Sequence, residues 1–256
     1  MKEIVLAKDI IKIYGYKSKG KALDGVSLTV YEGDYICIMG PSGSGKSTLL
    51  NVLSTIDMPT KGVVEIDKVN ILKINEFDLG RFRYERLGFI FQEFNLIDSL
   101  TIRENIGVPL ALADKAESEI NKKVENMAEK LSISEILDKF PVECSGGESQ
   151  RAAAARALIT EPKMIVADEP TGNLDTKNSH ELLKLLKELN EKEGITIIMV
   201  THDSMIASYA KKLLFLRDGK IDETIERGDL TQKEFFYKIV EITSKESQNL
   251  FESIIK

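Results

Sequence analysis

Along the chain, the spacing of apolar residues switches between two periods, and each switch marks a change of element. Residues 4–13 and 23–38 carry alternating or continuous apolar runs and read as strands. "GVVEIDKVNI" at 62–71 reads as another. These early strands are close in sequence and partly alternating, which predicts an antiparallel layer. From about Glu93 to Glu161 the period lengthens. Ile120, Val124, Met127, Ala128 and Leu131 fall at helical spacing with charges between them. Ser134 is expected to cap a short helix that stops before Pro141. "KMIVADEP" at 163–170 is an apolar strand ending in two carboxylates. Leu182, Leu183, Leu185, Leu186 and Leu189 predict an amphipathic helix ending near Gly194, and "ITIIMVTHD" predicts a further buried strand. Strand, helix and strand in that order imply right-handed crossovers and a parallel sheet. "LLFLRDGKI" predicts a hairpin turning at Asp218-Gly219. Beyond Thr231, Phe236, Ile239 and Val240, then Phe251, Ile254 and Ile255, predict one or two amphipathic helices.

Composition narrows the partners. The 256 residues are 43% hydrophobic and 30% charged, with a net charge of −6. A weakly acidic surface argues against nucleic acid as partner, because phosphate backbones select basic faces. Of the two cysteines, Cys37 lies in the apolar run "YICIM" and reads as core, and neither its spacing nor that of Cys144 suggests a disulfide or zinc framework. That usage fits a reducing cytosol. The stretch "MKEIVLAKDIIKIYGYKSKG" alternates apolar and charged residues and does not read as a signal peptide. The longest apolar run elsewhere, Ile195–Val200, is far short of the roughly 20 residues a membrane helix needs.

Chemistry enters at Gly40-Pro41-Ser42-Gly43-Ser44-Gly45-Lys46-Ser47, followed by Thr48, between a strand and a helix. This is a P-loop pattern at every fixed position. Its glycines let consecutive N–H groups turn toward phosphate oxygens, and the helix adds its positive end. Lys46 can reach the β- and γ-phosphates, and the Ser47 hydroxyl can ligate Mg²⁺. Asp168 and Glu169 close a strand of what is expected to be the same sheet, where open α/β sheets place their ligands. Asp168 would hold Mg²⁺, and Glu169 would orient or deprotonate an attacking water. The chain has no Asn-Lys-x-Asp stretch for reading guanine; "NKKV" at 121–124 lacks the carboxylate. A second Gly-containing polar loop, "CSGGESQR" at 144–151, runs into an alanine-rich helix.

The P-loop, "CSGGESQR", "IVADEPTGNLD" and "MVTHD", in this order, resemble the nucleotide-binding subunit of an ABC transporter over about residues 1–228. The resemblance implies an α/β fold of the P-loop NTPase (ABC ATPase) type. It has a parallel-sheet core, an N-terminal antiparallel β layer and a helical subdomain inserted at about 93–161, with 229–256 as a C-terminal helical extension. It implies ATP and Mg²⁺ as ligands. It implies a second copy of the chain docked head to tail, so that the second loop of one copy covers the γ-phosphate held by the P-loop of the other. Ser145, Gly146 and Gly147 would supply the donors, with the helix from Glu148 aimed at the phosphate. Tyr14 resembles the aromatic that stacks on adenine, with Tyr16 as rival. Gln92 resembles the glutamine that contacts Mg²⁺ and the attacking water. His202 resembles the switch histidine at the γ-phosphate, and Asp175 in "GNLD" resembles the loop that crosses the dimer interface. Two positions depart from the family pattern, Cys144 for the usual Leu and Glu148 for the usual Gln. Glu148 sets a negative charge near a phosphate unless it points away.

A separate integral membrane permease is implied, with a docking groove near Gln92–Ile106 in "EFNLIDSLTIRENIGVPLAL". That places the chain in the cytoplasm, peripheral to the inner face of the membrane. "GRFRYERLGFIFQEFNLIDSLTIRENI" with "DEPTGNLD" is similar to the branch serving macrolide export, lipoprotein release and cell division. Within it, "LNVLSTIDMPTKG" and "QRAAAARALI" look most like the bacitracin-resistance type, whose permeases often work with a sensor kinase. A non-transporting signalling ATPase of the cell-division type would carry the same ATP residues. Soluble relatives acting on ribosomes or DNA usually carry two ATPase domains or long coiled coils, and neither occurs here. No argued residue touches a transported molecule.

Overall fold

A computed structural model describes residues 2–15 and 20–255, with side chains described as far as Lys245. Strands β1 (Glu3–Ile13), β2 (Lys21–Tyr31), β4 (Lys61–Ile66) and β5 (Val69–Asn70) form an antiparallel sheet in the order β2-β1-β4-β5. A second sheet runs β10-β9-β3-β8-β7-β6, from β3 (Tyr35–Met39), β6 (Leu87–Phe91), β7 (Met164–Asp168), β8 (Thr196–Val200), β9 (Lys212–Arg217) and β10 (Lys220–Glu226). It is parallel except for β10, which returns antiparallel on β9 through the turn at Asp218-Gly219. Both turn residues have positive φ, as that two-residue hairpin requires.

The central strands are buried on both faces, which is why they read as unbroken apolar runs. Successive side chains of β3 point to opposite sides. Ile36 and Ile38 pack with Leu49 and Leu53 of helix α1 (Lys46–Leu53) and with Val5 and Val30 of the antiparallel sheet. Tyr35, Cys37 and Met39 join the other core. There they meet the alanines of α5 (Gly146–Leu158) and the leucines of α6 (Thr176–Glu193). That second core continues without a break into α3 (Ile102–Leu112) and α4 (Glu117–Lys130) through Ile106, Leu110, Val124 and Ala128.

Several boundaries differ from the sequence reading, each for a local reason. The predicted strand 23–38 is two strands, because Gly33 turns the chain at φ 79° and the Asp34 carboxylate accepts from the Tyr31 N–H. The predicted strand 62–71 breaks at Asp67-Lys68, both with positive φ, and ends in a 3-10 turn at Ile71–Lys73. Ser134 does not cap a helix. It opens a 3-10 turn, Ser134–Ile136, and Pro141 opens another at Pro141–Glu143. Helix α2 (Glu76–Arg86) and strand β6 went unpredicted. The helix buries only Leu79 and Phe82, too few to show a period, and its Asn75 cap accepts from the Asp78 N–H.

The short α7 (Ser204–Ala207) meets α8 (Gln232–Ile255), a single helix. Phe235 and Ile239 anchor α8 in the core, whereas the expected Phe236 and Val240 are half-buried. Among the described residues no helix is long and apolar enough to cross a membrane.

Candidate nucleotide-binding site

The P-loop connects β3 to α1, and its glycines are dictated by space. A Cβ at Gly40 would lie 2.0 Å from the Leu216 carbonyl oxygen, and one at Gly45 would lie 2.3 Å from that of Ala22. Gly43 meets nothing but holds φ at +77°, which L side chains avoid. Gly45 caps α1 without any side-chain hydrogen bond, and the first turn holds no acid, so the helix presents its positive end uncompensated. The loop is pinned from behind. The Gly219 N–H donates to the Ser44 carbonyl at 3.0 Å, tying it to the β9–β10 turn. Ser44 Oγ is buried without a partner among the described residues. Lys46 donates to the carbonyls of Gly40 (2.9 Å) and Pro41 (2.8 Å), folding its ammonium over the loop. Ser42 and Ser47 are exposed and Thr48 is half-buried at the same edge.

Parallel register brings the remaining chemistry to this edge. Phe91 pairs with Asp168, and Asp168 with Val200, so the residues that follow β6, β7 and β8 emerge side by side. Gln92, Glu169 and the Thr201-His202 pair occupy those places. Glu169 sits at φ +44°, a left-handed conformation costing a bulky residue roughly 1–2 kcal/mol. Its N–H donates to the Val200 carbonyl at 3.0 Å, and its carboxylate lies 3.0 Å from Nδ1 of the exposed His202. Burial raises the Asp168 carboxyl above the usual carboxylate range, and the Glu169 charge adds to the effect while Lys46 opposes it. Burial lowers the Lys46 ammonium, against the pull of Glu169 and Asp168. Gln92 packs on Gly172, where a Cβ would stand 2.8 Å from the glutamine side chain.

At the near end of β1, Tyr14 is 46% exposed. Its hydroxyl donates to Asp57 at 2.7 Å, and Lys12 lies 4.9 Å from the ring centroid while pairing with the same carboxylate at 2.5 Å. The ring is thus held at its rim and covered on one face. The rival Tyr16 lies outside the described residues.

The second loop is built as a helix start. Helix α5 begins at Gly146, not Glu148, and Ser145 is its cap. Glu148 does not project forward. Its carboxylate accepts from both the N–H and the hydroxyl of Ser145, each at 2.7 Å, and these bonds hold it below the usual carboxylate range. Cys144 is half-buried, with burial raising its thiol. Gly147 sits against Asn178 of α6, where a Cβ would lie 2.1 Å from the Asn178 Oδ1 and force that side chain to move. Asp175 caps α6 by accepting from the Asn178 N–H at 2.8 Å.

Four further residues join these pieces, and the sequence reading named none of them. Asn178 takes the place beside Gly147 just described. Asn173 donates to the Gln92 carbonyl at 3.1 Å. Gln150, 1% exposed, donates to the carbonyls of Pro170 and Phe91. Arg156 donates to the carbonyls of Phe94 at 2.8 Å and Asn95 at 2.5 Å. A glutamine and an arginine inside the alanine run "QRAAAARAL" were the available signal.

The structure therefore gathers Lys46, Asp168, Glu169, His202 and Gln92 at one sheet edge, and Asn173 links the second loop to Gln92. The first loop abuts Ala22, Leu216 and Gly219; the second abuts Phe94, Asn173 and Asn178. A groove of about 1110 Å³ opens between α2, β6 and the end of α3, with Phe77 and Leu112 exposed on its walls. Of the expected span Gln92–Ile106, only Asn95 lines it. The buried Asn105 draws that loop back onto α3 by donating to the carbonyls of Ile97, Leu100 and Thr101.

A P-loop at the carboxyl edge of a parallel sheet, faced by Asp168 and Glu169, defines a nucleotide-hydrolysing protein of the P-loop class. The family model described as ABC transporter matches residues 23–172. The bacitracin export ATP-binding protein BceA of Halalkalibacterium halodurans is 47% identical over 238 residues, 93% of this chain and 94% of that protein. The macrolide export ATP-binding/permease protein MacB of Hyphomonas neptunium is 43% identical over 85% of this chain and 34% of its own length. Among solved structures, the ATP-binding cassette MJ0796, in a dimeric post-hydrolysis state bound to ADP and Pi, superposes with a TM-score of 0.81. It has 37% identity and covers 87% of this chain and 98% of that one. The chain belongs to the ABC transporter family, in the branch of these exporters, and is an ATP-hydrolysing subunit of a transporter.

Proposed function

We propose that the chain energises a separate membrane permease that protects against cell-wall-targeting antimicrobial peptides such as bacitracin. ATP would be held between the P-loop of one copy and the Ser145–Gly147 loop of another, docked head to tail. One observation supports the sandwich: the chain is similar to MJ0796, solved as a dimer bound to ADP and Pi, and carries two loops suited to phosphate. The substrate class rests on the 47% identity to a bacitracin export protein.

In this reading Tyr14 stacks its ring on adenine, a contact worth roughly 1–3 kcal/mol. The N–H groups of Gly40–Thr48, with Ser42 Oγ and Ser44, surround the phosphates. Lys46 exchanges two carbonyls for the γ-phosphate. Among the described residues no three carboxylate, imidazole or thiol groups converge as a metal cage. Ser47, Asp168 and Gln92 suit a Mg²⁺ completed by phosphate oxygens and water. That ion supplies neutralisation of phosphate charge when bound. Glu169 accepts the proton of the attacking water, and His202 holds the Glu169 carboxylate and reaches the γ-phosphate. Asp175 faces the partner copy, and Glu148 must leave Ser145 for its hydroxyl to donate to phosphate.

Residues 1–228 would form the ATPase unit, with 93–161 as its helical subdomain and 229–256 as an extension. The permease would dock in the groove between α2 and α3, placing the chain at the cytoplasmic face of the membrane, with a sensor kinase acting through the permease. The likeness to MacB favours macrolide export as second reading. Purification of the chain from native membranes with its permease decides between them. One large permease of about ten spans supports peptide resistance. A four-span partner moves the assignment to macrolide, lipoprotein or division systems.

A further inference from the structure

The segment after Gln92 holds two consecutive residues in left-handed backbone, Phe94 at φ 55° and Asn95 at φ 50°. Neither is glycine. Although the Phe94 N–H donates to the Phe91 carbonyl at 3.3 Å, positive φ is costly for Phe94 in particular, so an outside partner helps to hold the pair. Arg156 is that partner. Its guanidinium donates one N–H to each of the two carbonyls, and among the described residues it makes no ion pair. The planar fork fixes the directions of both bonds together, whereas an ammonium holds its acceptors with no such fixed geometry. Arg156 also lies on α5, the helix that Ser145 caps. The same segment touches the start of that helix directly. A Cβ at Gly146 would lie 3.8 Å from the Phe94 ring. At its other end, Asn95 and Arg156 line the groove between α2 and α3. One arginine thus joins the groove wall, the residues after Gln92 and the helix carrying the second phosphate loop.

We propose that Arg156 is a positioning residue that latches Phe94-Asn95 to α5, so that displacement at the groove wall is carried to Ser145. The proposal rests on the sandwich reading for its consequence in ATP use, but the latch itself is a property of the single chain. Release of the two carbonyls lets Phe94 and Asn95 relax out of the left-handed region. The chain after Gln92 then shifts relative to the start of α5.

The test uses Arg156→Lys in the full chain, with Glu169→Gln to suppress turnover. ATP affinity of the monomer should stay within about twofold, because no P-loop contact is touched. ATP-driven dimerisation should weaken at least about tenfold. Amide hydrogen exchange should rise together at 93–97 and 145–149 while α1 is unchanged. Adding Asn95→Gly, which tolerates positive φ without help, should recover part of the dimerisation; a loss that came only from a weakened fold would not recover. Unchanged dimerisation with a folded Arg156→Lys protein overturns the latch, as does an equal loss of monomer affinity. If the Glu169→Gln chain itself never dimerises with ATP, the sandwich reading falls. The exchange data then decide the latch alone: a joint rise at both segments supports it, and a rise confined to 93–97 sinks it.

Discussion

At the scale of single residues, the site is dense in local compromise. Glu169 is held in a conformation that carbon sterics oppose, Lys46 in surroundings that disfavour its charge, and Asp168 in surroundings that disfavour ionisation. Such compromises gather where chemistry is done. Glu169→Gln keeps the shape and removes the proposed base, so turnover should fall by about 10²–10⁴-fold, the range that general-base catalysis contributes, while ATP still binds. A steady-state phosphate-release assay with nucleotide titration checks both halves. Lys46→Ala should act on binding itself, raising the ATP dissociation constant at least about tenfold by calorimetry; unchanged affinity would remove the P-loop assignment. For Asp168 the sign of the pH effect follows from its raised carboxyl. The folded state prefers the protonated form, so stability contributed by this group is greatest at low pH. It is lost as pH rises from the unfolded pKa through the folded one. Asp168→Asn should therefore flatten that acid-side slope in a pH series of thermal unfolding.

Secondary-structure elements meet the site mostly end-on, and their ends are where substitutions should hurt. Gly147→Ala drives a methyl toward the Asn178 side chain and should cost about 1–3 kcal/mol, read as a drop in the denaturant midpoint with hydrolysis falling alongside. This scale also divides what was legible in the sequence from what was not. The P-loop, the Asp168-Glu169 strand end and the α6 leucine stripe could be read because backbone geometry or periodic burial demanded those residues. Helix α2 could not, since two buried side chains in eleven residues leave no period. Strand breaks at Gly33 and Asp67-Lys68 were missed because they depend on φ. Start of α5 at Gly146 turned on the Ser145–Glu148 bond pair, which a carboxylate three residues past a serine foreshadows. Asn173 and Asn178 act on a carbonyl and a glycine distant in the chain, and a single sequence carries no mark of such pairings; Arg156 stands out in its alanine run, but the carbonyls it reaches do not.

Over the whole molecule, the family and fold follow from motif order, while the groove proposed for docking does not. It is assembled from α2, β6 and α3 and lies beyond most of the stretch that suggested it. Ser145→Arg should leave ATP binding to the monomer intact and abolish turnover, since in the proposed sandwich Ser145 meets the phosphate held by the other copy. Normal turnover in that variant would show that Ser145 does not face phosphate.

The separation of the two loops also has a genetic meaning. In the proposed arrangement a Lys46→Ala copy lacks one half of a site, and a Ser145→Arg copy lacks the other. Neither pure population can assemble an intact site. When the two copies pair with each other, both lesions fall in the same site and the opposite one is whole. Two inactive alleles expressed together should therefore complement, recovering activity that neither has alone.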